Sequence, residues 1–233
     1  MTSLDHSRPI LVLEAATAAG GVALFLPGGV VHGTDVPMGA GAADGLFPAI
    51  ELLLRRAALT SIDVGAIVCG EGPGSFTSLR IAGALAKGLA HGLGVPLYAY
   101  SSLALVAASL PVEAPSGTFV VHADALRGER YVLRCERNDT GEVTPVSTLG
   151  RQTINDLRAG AGTPLVASGS SPAGLDSAYI CVPDVRRALA IRGKWSEAPV
   201  DLANWEPLYG RLAEAQVKWE AAHGRSLPDD RVS

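Results

Sequence analysis

The chain is short of the features that announce a simple chemistry. Aromatic residues make up 5% and charged residues 18% of its 233 positions. The basic residues are scattered and the formal net charge is −4, so no electrostatic footprint for tight RNA binding by the chain alone is present. Cysteine is scarce: Cys69, Cys135 and Cys181 stand far apart, without zinc or redox spacing. They are expected as free thiols of a reducing compartment, the cytosol. The five histidines (His6, His32, His91, His122, His223) lack metal-ligand spacing, and Ser170 and Ser171 in ASGSSPAG do not form G-x-S-x-G. No metal site or catalytic triad is expected. MTSLDHSRP lacks the basic-then-apolar order of a secretory leader, so export is not expected. Apolar runs such as LALVAASL are broken by Ser109 and Pro111 well short of the ~20 residues that cross a bilayer.

What remains is a 48% hydrophobic chain rich in alanine, glycine and leucine, long enough for one large domain or two intimately packed lobes. Residues 10–16 (ILVLEAA), 21–26 (GVALFL) and VVHGTDV predict strand, hairpin and strand, with Gly20 and Gly21 as the first joint. A helix follows over about 45–58, with Asp44 as N-cap and Pro48 tolerated in the first turn. GAIVC at 65–69 predicts a buried strand. A second helix spans about 76–92, ended by Gly92 and Gly94, and VPLYAYS is another strand. After Pro111 and Pro115, TFVVHADA and ERYVLRCER predict strands joined at Leu126-Arg127-Gly128, with TPLVASGS at 163–170 a third. Short helices are expected at 151–158 and 184–192, and a longer one over RLAEAQVKWEAAHG, capped by Gly224. Interleaved strands and helices argue an α/β fold, with lobes at 1–110 and 111–233.

Both helices of the first lobe carry more apolar surface than one face needs. In the first, Leu46, Ile50, Leu53 and Leu54 keep helical spacing while Phe47 and Leu52 fall outside it. In the second, Ile81, Leu85 and Leu89 make one line, and Leu79, Gly83, Ala86 and Ala90 make another of mostly small residues that would let a partner helix approach closely. Leu46, Ile50, Leu53, Leu54, Leu79, Gly83, Ala86 and Ala90 are the candidate partner interface. Arg80, Lys87 and His91 form a third, polar stripe.

The loop GEGPGSFTSLR at 70–80 places glycines between a strand and a helix N-terminus, an arrangement that can hold a phosphate. It lacks the lysine of a P-loop, its G-x-G-x-G spacing is not that of a dinucleotide fingerprint, and Glu71 adds a negative charge. The reading favoured over phosphate binding is a tight turn with Ser75 or Thr77 as N-cap, the glycines being chiefly structural. Candidate nucleotide or loop residues are Glu14, Thr17, Gly72, Gly74, Ser75, Thr77, Arg80 and Asp124, the two acids standing at strand ends.

Together, GPGSFTSLR and AKGLAHGLGVPLYAYSSL resemble the signature of the TsaB (YeaZ) family, subunits of the bacterial machinery that makes threonylcarbamoyladenosine in tRNA. DALRGERY at 124–131, GLFPAIELLL and PLYGRLAEA at 207–215 are similar to further stretches of that family. The resemblance implies an actin-like, ribonuclease-H-like α/β fold of two lobes, of the ASKHA superfamily of sugar kinases and chaperone ATPases. It implies a non-catalytic subunit that pairs with TsaD, which transfers threonylcarbamoyl to N6 of adenosine 37 in tRNAs reading ANN codons. The ATPase TsaE joins the assembly, a homodimer forms when the chain is alone, tRNA is met only through the complex, and no membrane is involved. No cofactor is implied for the chain alone, with ATP or ADP only within the complex.

The family's usual D-T-S-T reads Glu14, Ala15, Ala16 and Thr17 here, Ser78 replaces a glycine, and a histidine ahead of the first helix is Ala42. Residues 42–58 hold no histidine to act as a metal ligand. A nucleotide-binding, kinase-like ATPase and a protease-like or chaperone-like module are the alternatives.

Overall fold

The structure, a computed structural model, describes residues 3–38, 45–160 and 162–209. Asp44, Ala42 and the C-terminal helix with Gly224 lie outside the described residues. The first sheet has the order β3-β2-β1-β4-β5, built from β1 (Ile10–Glu14), β2 (Ala19–Phe25), β3 (Val31–Pro37), β4 (Ala66–Gly70) and β5 (Leu97–Tyr100). β1 and β2 pair antiparallel, as do β2 and β3, whereas β4 runs parallel to β1 and β5 parallel to β4. Helix α1 (Leu46–Arg56) joins β3 to β4, and α2 (Phe76–Leu93) joins β4 to β5.

The second sheet repeats this plan. β6 (Gly117–Asp124), β7 (Glu129–Arg137), β8 (Val143–Pro145), β9 (Gly150–Thr153), β10 (Leu165–Ser168) and β11 (Tyr179–Cys181) give the order β11-β10-β6-β7-β8, with β9 also on β7. β6 and β7 are antiparallel, and β10 and β11 are parallel to β6. In each sheet the first strand is thus central, flanked by an antiparallel hairpin on one side and two parallel strands on the other. This is the two-lobed α/β fold expected.

Alternation of side chains along β1 sorts the core into layers. Ile10 and Val12 face a cluster shared with α3 (Ser102–Ala108) and the second sheet, where Phe119, Val121 and Leu133 lie. Leu11 and Leu13 face the other way, against α1 and α2. All seven residues of α3 are buried, which explains why its uninterrupted apolar sequence shows no helical stripe. The other corrections are local. Gly20 and Gly21 lie inside β2, where Gly21 lets the Thr34 carbonyl and Val185 approach within 3.0 Å of where a Cβ would be. Residues 150–153 are strand β9, and the helix expected there begins only after Thr153 caps α4 (Ile154–Ala159) through the Asp156 amide. Residues 185–190 form a 3-10 helix against β1, β2 and β3.

A buried helix still needs partners for its last carbonyls. Arg187 Nε donates to Ala108 O (3.1 Å), and beyond it Arg137 donates to Ala114 O and to Pro111 O (3.3 Å). Arg137 is 6% exposed, and these positive groups suit the negative end of the α3 dipole. Among the described residues no helix is long and apolar enough to cross a membrane, and Cys69, Cys135 and Cys181 are buried free thiols. Arg137→Ala is expected to strand the buried Ala114 carbonyl, while Pro111 O keeps its bond from the Ala114 amide, and to lower the unfolding free energy by about 2 kcal/mol, measured as a shift in urea midpoint. An unchanged midpoint would mean that water replaces the guanidinium.

Candidate partner interface and the glycine loop

The helices' surplus apolar surface divides differently from the sequence pattern. Leu46, Ile50, Leu53 and Leu54 are 0–8% exposed and pack on Leu11, Leu13 and Ile67 of the first sheet. Leu79, Ala86 and Ala90 are fully buried. Gly83 lies beneath the chain's own Pro207, whose Cγ would stand 2.7 Å from an added Cβ. All eight are buried within the chain, Ile50 and Leu54 where they line the groove between the two helices, and at Gly83 the small-residue line admits a neighbouring segment of the same chain.

The line left outward is the other one. Ile81 is 37% exposed, Phe47 on α1 is 50% exposed, Ala84, Gly88 and Gly92 are exposed, and Leu85, Leu89 and Leu93 are half-buried. Between α1 and α2 lies a groove of about 510 Å³ with Phe47, Leu89 and Leu93 on its walls and Ile50 and Leu54 also lining it. Glu51, Arg55, Thr60 and Ser61 are its polar members. Gly88 has nothing within 4 Å of where a Cβ would be, so a partner backbone can come close there. The helices hold this shape by ordinary means. Arg55 and Arg56 sit in the last turn of α1, and Gly94 ends α2 in the left-handed conformation at φ 66°.

The glycine loop is closed against β1. Glu14, 1% exposed, accepts hydrogen bonds from the Ala16 amide (2.7 Å), Ser102 Oγ (3.1 Å) and Tyr100 Oη (3.0 Å). Ser102 Oγ in turn accepts from the Gly72 amide (3.1 Å). The Glu71 and Ser75 amides bond Tyr100 O (2.9 Å) and Ala16 O (2.8 Å). Three amides that could have cradled an anion are thus committed internally. A Cβ at Gly70 would overlap the Glu14 carboxylate, and one at Gly74 the Ala16 carbonyl, so these glycines serve backbone contact. Burial pushes the Glu14 carboxyl above its ordinary range, against the opposing hydrogen bonds from Ala16, Ser102 and Tyr100. Burial likewise raises Glu71, with the Trp205 indole acting the other way.

The remaining predicted residues scatter. Thr17 Oγ1 donates to Ala19 O (2.9 Å) and accepts from its amide (3.2 Å), a local turn. Ser75, Thr77 and Arg80 are exposed, and Ser75 caps α2 without a side-chain hydrogen bond. Asp124 is exposed, accepts from the Leu126 amide (2.9 Å) and lies 3.8 Å from Arg130 Nη1, in a network apart from Glu14.

That second network escaped the sequence. Arg130 Nε and Nη2 approach His122 Nδ1 at 3.1 and 3.0 Å, so the proton sits on Nε2, which donates to Ser177 Oγ (2.9 Å). Ser177 passes the direction on to Ser171 Oγ (2.9 Å), whose hydroxyl donates to Leu175 O (2.6 Å). Burial, with Arg130 adding to it, pushes His122 down to about 4. An imidazole that donates to its serine cannot take that serine's proton, so the cluster is not a nucleophile site. The signal available was polar His122 inside the apolar run FVVHA, across a hairpin from Arg130. Among the described residues no three His, Cys, Asp or Glu side chains come together as a metal-ligand set.

The repeated sheet plan defines an actin-like, ribonuclease-H-like α/β protein. The family model described as "TsaD: tRNA N6-adenosine threonylcarbamoyltransferase" matches residues 42–146. The tRNA threonylcarbamoyladenosine biosynthesis protein TsaB of Bacillus subtilis is 30% identical over 200 residues, 74% of this chain and 81% of that one. An uncharacterized protein of Mycobacterium tuberculosis is 32% identical over 192 residues, 80% and 83% of the two chains. The solved structure of YeaZ from Pseudomonas aeruginosa, 25% identical, matches with a TM-score of 0.72 over 87% of this chain and 99% of that one. The chain belongs to the TsaB family.

Because burial raises the folded-state pKa of Glu14, the folded chain holds that proton more tightly than the unfolded one. The stability this gives is present below the ordinary glutamate range and is lost as pH rises through the raised value. Glu14→Gln is expected to gain on the parent in urea midpoint as pH goes from about 4 to about 8. A constant difference across that range excludes the raised carboxyl.

Proposed function

We propose that this chain is a non-catalytic subunit that pairs with a TsaD-type transferase and supports threonylcarbamoyl transfer to N6 of adenosine 37 in tRNAs reading ANN codons. The observation that carries the reading is the outward apolar line Ile81, Leu85, Gly88 and Gly92 beside the groove between α1 and α2. An exposed apolar patch rimmed by polar residues is a mark of a protein-binding surface. The relative from Bacillus subtilis is named for threonylcarbamoyladenosine biosynthesis, and the matching family model is named for the transferase.

In this reading the same face makes a homodimer when no transferase is present, since an unfilled groove accepts a second copy. TsaE joins the assembly, tRNA is met through the complex, and the work is done in the cytoplasm. The chain alone is taken to hold no nucleotide, a reading supported by the internal bonds of the Glu71, Gly72 and Ser75 amides. ATP or ADP enters only when partner surfaces complete a site.

Ile81→Asp is expected to weaken pairing with the TsaD-type partner by about 2 kcal/mol or more, roughly thirtyfold, because it removes apolar contact and buries a carboxylate. Its urea midpoint should stay near the parent's. Leu79→Asp places the charge in the core instead and should unfold or cost about 3–5 kcal/mol. Calorimetric titration of the partner into each folded variant separates the two classes. Undiminished binding by Ile81→Asp would remove this face from the interface.

A further inference from the structure

We infer that residues 200–209 are a strap that sets how α2 is presented, with Trp205 and Pro207 as positioning residues. The inference rests on the docking reading above. The segment runs along α2 in the reverse direction and touches it from end to end. The Val200 amide bonds Leu97 O (2.8 Å) on β5, just past the exit of α2. Lys87 Nζ donates to Trp205 O (2.9 Å). Pro207 lies over Gly83. The Leu208 amide bonds Glu71 O (2.7 Å) in the loop before α2, and the Tyr209 ring stands 4.7 Å from Phe76 in its first turn. The order of attachments along the strap is the inverse of their order along the helix, as for a segment laid lengthwise.

Helical geometry says what this does. At 100° per residue, Gly83 lies about 200° from Ile81, and Lys87 about 240° from it. Ala82, Leu79, Ala86 and Ala90 fill roughly 100–180° and are fully buried. The sheet therefore holds the middle of the helix, the strap presses one edge, and the docking line Ile81, Leu85 and Gly92 occupies the opposite edge. The sheet-facing side chains are mostly alanine, which offer shallow ridges and little resistance to a roll about the helix axis. A roll that lifts the Gly83 edge would carry Ile81 and Leu85 toward the sheet and narrow the groove. Pro207 seated over Gly83 blocks that roll, and glycine at 83 is what allows the ring to sit there.

The test uses the full chain, its purified TsaD-type partner, and hydrogen exchange read by mass spectrometry. Gly83→Ala puts a methyl 2.7 Å from Pro207 Cγ while improving the helix's own propensity, so the helix stays formed and the strap is displaced. Lys87→Met removes the bond to Trp205 O without a steric change. Expected are faster exchange at Trp205 and Leu208 and about tenfold weaker partner binding, with exchange in β1 and β4 unchanged. Ile81→Asp should weaken binding while leaving strap exchange at the parent rate. Faster exchange with undiminished affinity overturns the positioning role and leaves the docking reading standing. Parent-like exchange in both Gly83→Ala and Lys87→Met overturns the strap itself. Parent-like binding by Ile81→Asp locates the failure in the docking reading instead.

Discussion

The carboxylate of Glu14 is where the first lobe is tied together. Its donors come from the turn after β1, from the end of β5 and from the first residue of α3, and through Ser102 it reaches the amide of Gly72. A carboxyl so deeply buried is tolerable only when it is hydrogen-bonded. The same bonds fix the path by which the chain leaves β4 and enters α2. They also occupy the Gly72 amide of the glycine loop. One constraint thus shapes the loop and sets where α2 begins.

From that anchoring point the packing follows a consistent division of labour. α2 offers alanines to the sheet, a glycine to Pro207, and an isoleucine, a leucine and two glycines to the outside. α3, buried on every side, has its exit supplied with guanidinium donors from Arg137 and Arg187, which meet the carbonyls of Ala108, Pro111 and Ala114. Buried Glu14, Arg130 and Arg137 are met by backbone groups, hydroxyls or the His122 ring, and around His122 the donor directions agree. That agreement is what leaves His122 unable to act as a base.

Much of the fold was legible because its strands are short apolar runs between clear turn signals. The order strand, hairpin, strand, helix, strand, helix, strand could be read through residue 100. What could not be read was which apolar line of α2 faces outward. Leu79 with Gly83, Ala86 and Ala90, and Ile81 with Leu85 and Leu89, have the same period, and packing on the first sheet, with Pro207 over Gly83 from more than a hundred residues later in the chain, decides between them. The Glu14 network was hidden for the same reason, since Tyr100 and Ser102 are 86 and 88 positions away. α3 looked like a bare apolar run because burial on all sides erases the stripe that marks a helix. Glu14 was legible as an acid at a strand end, but its role depends on how little space Gly70 leaves beside it.

The two sheets share one plan, yet among the described residues only the first is dressed with long helices. In the second, the link before β10 carries a six-residue helix, and the connection from β10 to β11 has no helix at all. A molecule with two equivalent helical platforms could grow into a filament, each copy bridging two others. Among the described residues there is one such platform, and under the docking proposal it has a valence of one: assembly through it would stop at a pair, with a second copy and a transferase taking the same seat.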